Sequence, residues 1–344
     1  MPVPQVAVDH QRRQNAVAAG AVAAVAQLWA DVDPDDIGGS WAAMVPRAAT
    51  VVAAAQLAAA LGASEYLDEL LGAAAPAVAA VAPQALSGVA SDGRSLDTLL
   101  AQPAVTALTR IKRGTPPGRA LAAGRWQLDN LARTQALDAG RAAEQVGMAA
   151  RPRVVAYTRV VTRPACARCV VLAGREYAWS TGFKRHPQCD CRMLPLRPGE
   201  ARDRVGTDPR DMFDAMSRAE QDRRFGRHAA EAIREGADIS QVVNARRGMQ
   251  AASDRTRGRY TTEGTTVRGY AGRRLGDLTD TSGRFRRSSR PRLMPEAIMR
   301  DARDREHALE LLYQHGYLEN RAFFTDPPAP ATGSNPSTRN GRNQ

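Results

Sequence analysis

The sequence predicts an α+β fold that is mainly α-helical: an N-terminal helical unit, a small β-containing core, and a basic C-terminal region that is helical and partly disordered. Three observations carry this expectation. Alanine-rich stretches before residue 150 repeat apolar residues at three- and four-residue spacing, the period of a helix with one buried face. A run of β-formers, Val154, Val155, Tyr157, Val160 and Val161, then stands between Pro152 and Pro164. All four cysteines fall between residues 166 and 191, directly after that run.

In chain order, residues 2–31 read as a helix that must stop before Asp33-Pro34, because the residue preceding a proline is pushed out of the α region. Residues 40–72 form a second helix, entered near Pro46, with Val51, Leu57, Leu61, Tyr66, Leu67 and Leu70 along it. Residues 73–100 contain Pro76, Pro83, Gly88 and Gly93 and fit a short helix inside a connecting region. These elements make an N-terminal helical docking domain over 1–110. Pro116-Pro117 sets the start of a long amphipathic helix to Met148, with Leu121, Leu128, Leu131, Ala139, Ala142 and Val146 on one face. The β-forming run gives one strand and residues 192–194 a second, ended by Pro195 and Pro198, so the core spans 115–200. Helices return over 208–250: Asp208-Pro209 is an N-cap with proline at the first helical position, Ser217 and Glu220 fit a capping box, and Gly236 and Gly248 sit at helix ends. Pro295 opens a last helical pair ending at Gly316, within a basic region running from 201 to 325. The tail, 326–344, is rich in Pro, Asn, Ser and Gly and is expected to be disordered.

The 344 residues carry 48 Lys and Arg against 36 Asp and Glu, a net charge of +12. Lys112 and Lys184 are the only lysines. The codon usage of a GC-rich genome accounts for that preference but not for the sign of the charge, which favours a polyanion such as nucleic acid. Between residues 246 and 292, thirteen arginines stand against Asp254, Glu263, Asp277 and Asp280. With Gly, Ser and Thr and little periodicity, this stretch reads as a flexible arm. Arg255, Arg257, Arg259, Arg273, Arg274, Arg284, Arg286, Arg287 and Arg290 are its candidates for phosphate contact without base reading. A solvated charged linker is the other reading. Residues 227–247 also fit a helix-turn-helix, but few groups are spaced for base edges. The N-terminus lacks a signal-peptide pattern, and no apolar run reaches the roughly 18 residues that span a bilayer, 16–26 being the longest candidate. The expectation is a protein with no membrane partner, made in a reducing cytoplasm that favours thiolate–metal bonding or free thiols over disulfides.

The cysteines are spaced as Cys166-x2-Cys169, then His186-Pro187-Gln188-Cys189-Asp190-Cys191. A CxxC turn and a second pair about 20 residues on supply the ligands of a tetrahedral structural zinc site. Alternate residues of an extended segment point to opposite faces, so Cys189 and Cys191 converge only if the chain bends at Asp190. His186 therefore competes for the fourth position. The other readings are cysteines packed as small buried hydrophobes and a disulfide pair. Tyr177, Trp179 and Phe183 fit a small hydrophobic core for this loop, with nucleotide stacking as the alternative.

The same stretch resembles the core of the Mu F-like (MuF) minor head proteins of tailed bacteriophages. The residues that carry the resemblance are Cys166, Cys169, Leu172, Gly174, Tyr177, Trp179, His186, Pro187, Cys189, Cys191 and Arg192. Upstream, residues 131–135 resemble the helical ARTE segment of that family, with Gln135 where an acid is more usual. The resemblance spans roughly 115–200, and the flanks are similar in character to minor capsid proteins of actinobacterial phages. It implies a zinc-stapled, MuF-like core and a non-enzymatic structural protein of head morphogenesis. Such a protein would lie in the capsid interior near the portal, with portal and capsid proteins and packaged double-stranded DNA as partners.

The rival classes are a zinc-stabilised nuclease of the HNH type, a MuF-linked protease or toxin, and a DNA-binding regulator. The five histidines, His10, His186, His228, His307 and His315, are scattered and form no HNH pattern. After residue 200 there is no Ser/His/Asp or Cys/His set and no glycine-rich phosphate loop, and the regulator lacks an identifiable recognition helix.

Overall fold

Helix α1 (Gln5–Ala30) and helix α2 (Ile37–Leu71) meet at a break that the sequence sets. The chain leaves α1 three residues before Pro34, and Asp36 then caps α2 by accepting from the Gly39 amide at 2.9 Å. A Cβ on Gly39 would lie 2.3 Å from the Asp36 carboxylate, so a larger residue there would displace the cap. The helix starts before Pro46 and continues through it, where the sequence suggested an entry point. An interior proline costs about 3 kcal/mol, and burial of Ile37, Trp41, Val45, Ala48 and Val52 on one face opposes that cost. Trp41 also donates its indole N–H to the Leu100 carbonyl at 2.7 Å.

The computed structural model describes residues 3–161, 165–182, 191–200, 208–247, 249, 259–263, 278–279 and 287–318. These divide into two units, Met1–Ser217 and Arg218–Gln344. The helical domain expected over 1–110 and the core expected over 115–200 lie together in the first. The reason is helix α5 (Pro117–Ala149), which packs against both α1 and α2. Two 3-10 turns (Gly72–Ala74 and Pro83–Leu86) and helices α3 (Leu96–Leu100) and α4 (Gln102–Lys112) connect α2 to α5.

Small side chains allow close approach: a Cβ on Gly124 of α5 would fall 2.6 Å from the Trp29 ring, and one on Gly147 would fall 2.4 Å from Leu67. The core still has bulk, with Trp29 and Trp41 edge to face at 4.8 Å. The buried face of α5 is wider than the stripe that periodicity picks out: Leu128 and Ala139 are buried as expected and Leu121 and Leu131 pack on the core, but Val146 is exposed, whereas Gln135, Arg141 and Glu144 are buried. Because α1, α2 and α4 all pack on α5, burial spreads around the helix and takes in polar positions. The segment 37–74 is long and apolar enough to cross a membrane by length and composition, with a mean hydropathy of 1.5. A search for uninterrupted apolar runs passes over it. Its Trp41, Ala48, Ala60, Tyr66 and Leu67 are buried in the bundle.

After α5 the chain forms strand β1 (Ala156–Val160), helix α6 (Ala167–Val170), strand β2 (Glu176–Ala178) and strand β3 (Arg192–Leu196). The antiparallel sheet has the order β2-β1-β3, with Tyr157 opposite both Tyr177 and Pro195. β3 runs through Pro195, where the sequence suggested a stop, because an edge strand tolerates a residue without an N–H. β2 was not foreseen. Tyr177 stacks on Tyr157 at 5.4 Å, Trp179 is exposed rather than part of a loop core, and Phe183 lies outside the described residues. Helix α7 (Pro209–Asp214) follows, capped by Asp208 as expected.

The second unit contains helices α8 (Arg218–Phe225), α9 (Arg227–Arg234) and α10 (Ile239–Ala245), strands β4 (Tyr260–Glu263), β5 (Leu278–Thr279) and β6 (Arg287–Leu293), and helices α11 (Pro295–Asp301) and α12 (Arg305–Gln314). Most of the stretch read as an irregular arm, 246–292, lies outside the described residues, but its described residues 260–263, 278–279 and 287–292 form strands of an antiparallel sheet, β4-β6-β5. Its pattern escapes a hydrophobic criterion because the buried side chains of β4 are Thr261 and Glu263. The tail 326–344, read as disordered, lies outside the described residues.

Candidate functional site

Cys166 sits at the N-terminus of α6, and its sulfur accepts from the Cys169 amide at 3.4 Å. Cys169 and Cys191 are buried. Between them comes Arg159, from the middle strand β1: its Nη2 donates to Cys191 Sγ at 3.2 Å and lies 3.9 Å from Cys169 Sγ. The backbone of Arg159 pairs with Arg175 and Gly174, which ties the turn after α6 to β1. Arg159 is 2% exposed, so its charge stands beside the two sulfurs in a weakly screened interior. A cluster of metal-bound thiolates carries surplus negative charge, which a buried guanidinium offsets, and the donor chemistry of this set fits zinc. Cys166, Cys169 and Cys191 form no disulfide among the described residues. Among the described residues, no three His, Cys, Asp or Glu side chains group at metal-binding distance. Cys189 and His186, which would complete the shell, lie outside the described residues.

A second constellation, which the sequence reading missed, joins the helices to this sheet. His10 of α1 meets Glu144 of α5, Nε2 to Oε1 at 2.9 Å, and Arg192 of β3 approaches the same carboxylate oxygen at 3.6 Å. The three side chains are between 0 and 3% exposed. Arg141 of α5 pairs with Asp138 at 3.1 Å and donates Nε to the Cys191 carbonyl at 3.1 Å. Tyr66 of α2 stacks on His10 at 4.3 Å and donates to the Met193 carbonyl at 3.2 Å. Cys191 is thus held on its side-chain side by Arg159 and on its backbone side by Arg141.

Burial alone would raise the Glu144 pKa, but the His10 hydrogen bond and the charges of Arg192, His10 and Arg141 outweigh it and hold the carboxyl below its ordinary value. Burial, reinforced by Glu144, pushes the Tyr66 hydroxyl well above its usual range. The network is closed to solvent, so its chemistry is that of a fastener. An acid three residues after a basic residue on the alanine face of α5 was the available signal. Gln135, at the position of the ARTE acid, accepts from the Ser91 amide at 2.8 Å and so anchors the loop before α3. Nearby, a cleft of about 380 Å³ is lined by Gln56, Leu86, Gln135, Asp138, Arg141 and Met193.

The arginines proposed for phosphate contact fare differently. Arg259 faces Asp301 at 3.7 Å, and Arg287 and Arg290 lie on β6. Arg255, Arg257, Arg273, Arg274, Arg284 and Arg286 lie outside the described residues. Of the other arginines in the stretch, Arg246 pairs with Glu296 and Arg247 with Glu263, both at 2.9 Å. Arg292 is buried, donates to the carbonyls of His315 at 2.8 Å and Glu263 at 3.1 Å, and lies 4.6 Å from the centre of the Tyr317 ring. Arg246, Arg247 and Arg292 therefore serve the fold.

The VG15 protein family model matches residues 1–219, more than half of the chain, and its span ends beside the unit boundary at Ser217. The chain belongs to the VG15 family, a family of viral gene products, and is a phage protein. No curated protein and no solved structure matches it.

Proposed function

We propose that this phage protein is a MuF-like minor capsid protein of an actinobacterial tailed phage. On this reading it acts in head morphogenesis, resides inside the head near the portal, and contacts portal and capsid proteins and packaged double-stranded DNA. The observation that carries the reading is the fastening of the cysteine module to the helical bundle. Arg192 and the Cys191 and Met193 carbonyls are gripped from three different helices by His10, Tyr66, Arg141 and Glu144. Such a network costs desolvation and offers no accessible acid or base, so it suits a rigid assembly part better than a catalyst. In this reading Cys166 and Cys169 hold a structural zinc, completed from His186, Cys189 and Cys191, and the metal supplies folding free energy to the loop.

Membership of a viral family and the HPxCxC element both support the assignment to the phage head. Mass spectrometry of purified, nuclease-treated virions tests it. The protein should be recovered from particles in a fixed ratio to the portal. Recovery only from lysate, with particles clean, overturns the assignment.

A further inference from the structure

The arginines of the second unit fall into two groups. Those in the stretch 246–292 whose side chains are described are engaged by acids, carbonyls or a ring. Arg223, Arg224 and Arg227 are different: they are exposed, and no acid among the described residues pairs with them. Two neighbouring acids face other partners. Asp222 takes Arg234 at 3.0 Å, and Glu231 lies 3.4 Å from His228.

Local geometry gathers the three at one corner. At 100° per residue, Arg223 lies on the side of α8 opposite the buried Gln221 and Phe225, and Arg224 lies on the flank between, where it is exposed. Gly226, at a φ of 88°, then turns the chain so that Arg227 opens α9. Arg246 braces the corner: Nη2 donates to the Phe225 carbonyl while Nε is held by Glu296 at 2.9 Å. A Cβ at Gly226 would press on that guanidinium at 3.0 Å. The stretch that was expected to touch phosphate thus supplies a strut that presents other arginines.

We infer that the α8–α9 corner, through Arg223, Arg224 and Arg227, is a phosphate-contacting surface for duplex DNA. The inference rests on the reading of the protein as a component that meets packaged DNA. Three exposed cations with no acid partner among the described residues suit successive backbone phosphates at one bend, and no described group at the corner is arranged to read base edges.

The test is fluorescence anisotropy of the full-length protein with a labelled random-sequence duplex over a salt series. Replacing Arg223, Arg224 and Arg227 together with Gln should reduce the slope of log affinity against log salt by about 3, near 0.9 per phosphate contact. A charge-matched control, Arg47→Gln, Arg110→Gln and Arg119→Gln in the first unit, should leave the slope unchanged, and the triple Arg→Lys variant should keep it. Equal loss in corner and control variants, an unchanged slope in the corner variant, or no duplex binding by the parent at low salt each overturns the inference. So does binding to vesicles of anionic lipid that the corner variant loses while its duplex binding persists. Virion recovery is scored separately. A protein present in virions with an unchanged slope sinks this inference alone, and a slope effect in a protein absent from virions sinks the capsid reading alone.

Discussion

Replacing Glu144 with Ala tests the fastener directly. The side chain is fully buried, accepts from His10 at 2.9 Å, and stands 3.6 Å from Arg192. Removing it leaves the Arg192 cation in a desolvated site without its carboxylate, and loss of one partner of a buried ion pair costs about 3–5 kcal/mol. Tyr66→Phe supplies the scale, since it deletes only the hydrogen bond to the Met193 carbonyl, worth about 0.5–1.5 kcal/mol. Urea unfolding followed by tryptophan fluorescence isolates the effect, because Trp29, Trp41, Trp126 and Trp179 all belong to the first unit. The Glu144 carboxyl is held below its ordinary pKa, so its contribution is complete above the unfolded-state value and is lost as pH falls through the folded-state value. The parent should therefore lose stability on acidification more steeply than Glu144→Ala or Glu144→Gln. A loss in Glu144→Ala no larger than in Tyr66→Phe, or parallel acid profiles, would refute the argument.

The zinc assignment predicts about one zinc per chain in reduced, purified protein, lost in Cys166→Ser and Cys169→Ser; single replacements of His186, Cys189 and Cys191 then identify the remaining ligands. Elemental analysis that finds no metal in the parent removes the assignment. In the second unit, Arg292→Met forfeits two charged hydrogen bonds and the contact with Tyr317, a loss of about 3 kcal/mol. Hydrogen exchange at the β4 and β6 amides should accelerate accordingly, and unchanged protection there would show that the arginine is not structural.

Local signals were legible in the sequence and tertiary ones were not. The start of α5 at Pro117 and its run to Ala149 follow from a proline pair and an unbroken helical period, which are properties of neighbouring residues. The buried face of that helix depends on which helices surround it, so hydrophobicity chose Val146 while packing chose Glu144. Cysteine spacing pointed to the turn at Cys166 and Cys169. The guanidinium between the sulfurs comes from β1, whose apolar residues announced only a strand. Pro46 was read as a helix entry and Pro195 as a strand end, yet a long buried face lets the helix start before one and an edge position carries the strand through the other. The β4-β6-β5 sheet was hidden because polar residues face its interior.

The distribution of charge separates genome bias from function. Codon usage acts alike along a coding sequence, so it predicts similar densities of basic residues in both units. Instead, the 127 residues from 218 onward carry 24 arginines, as many basic residues as the 217 before them, against 16 acids where the first unit has 20. Eight of the twelve net positive charges therefore lie in the shorter unit. The family match ends where that unit begins, so the shared part of the chain is the bundle with its cysteine module, in which the most buried charges neutralise one another. The surplus lies in a unit outside the matched span, on a scaffold that uses some arginines as struts and exposes others at the α8–α9 corner, where no described acid pairs with them. An arginine without an internal partner is stable at a surface whether or not DNA is present. Bias can supply such residues anywhere, but only a polyanion makes their concentration in this unit measurable as a salt slope that belongs to three positions and not to net charge.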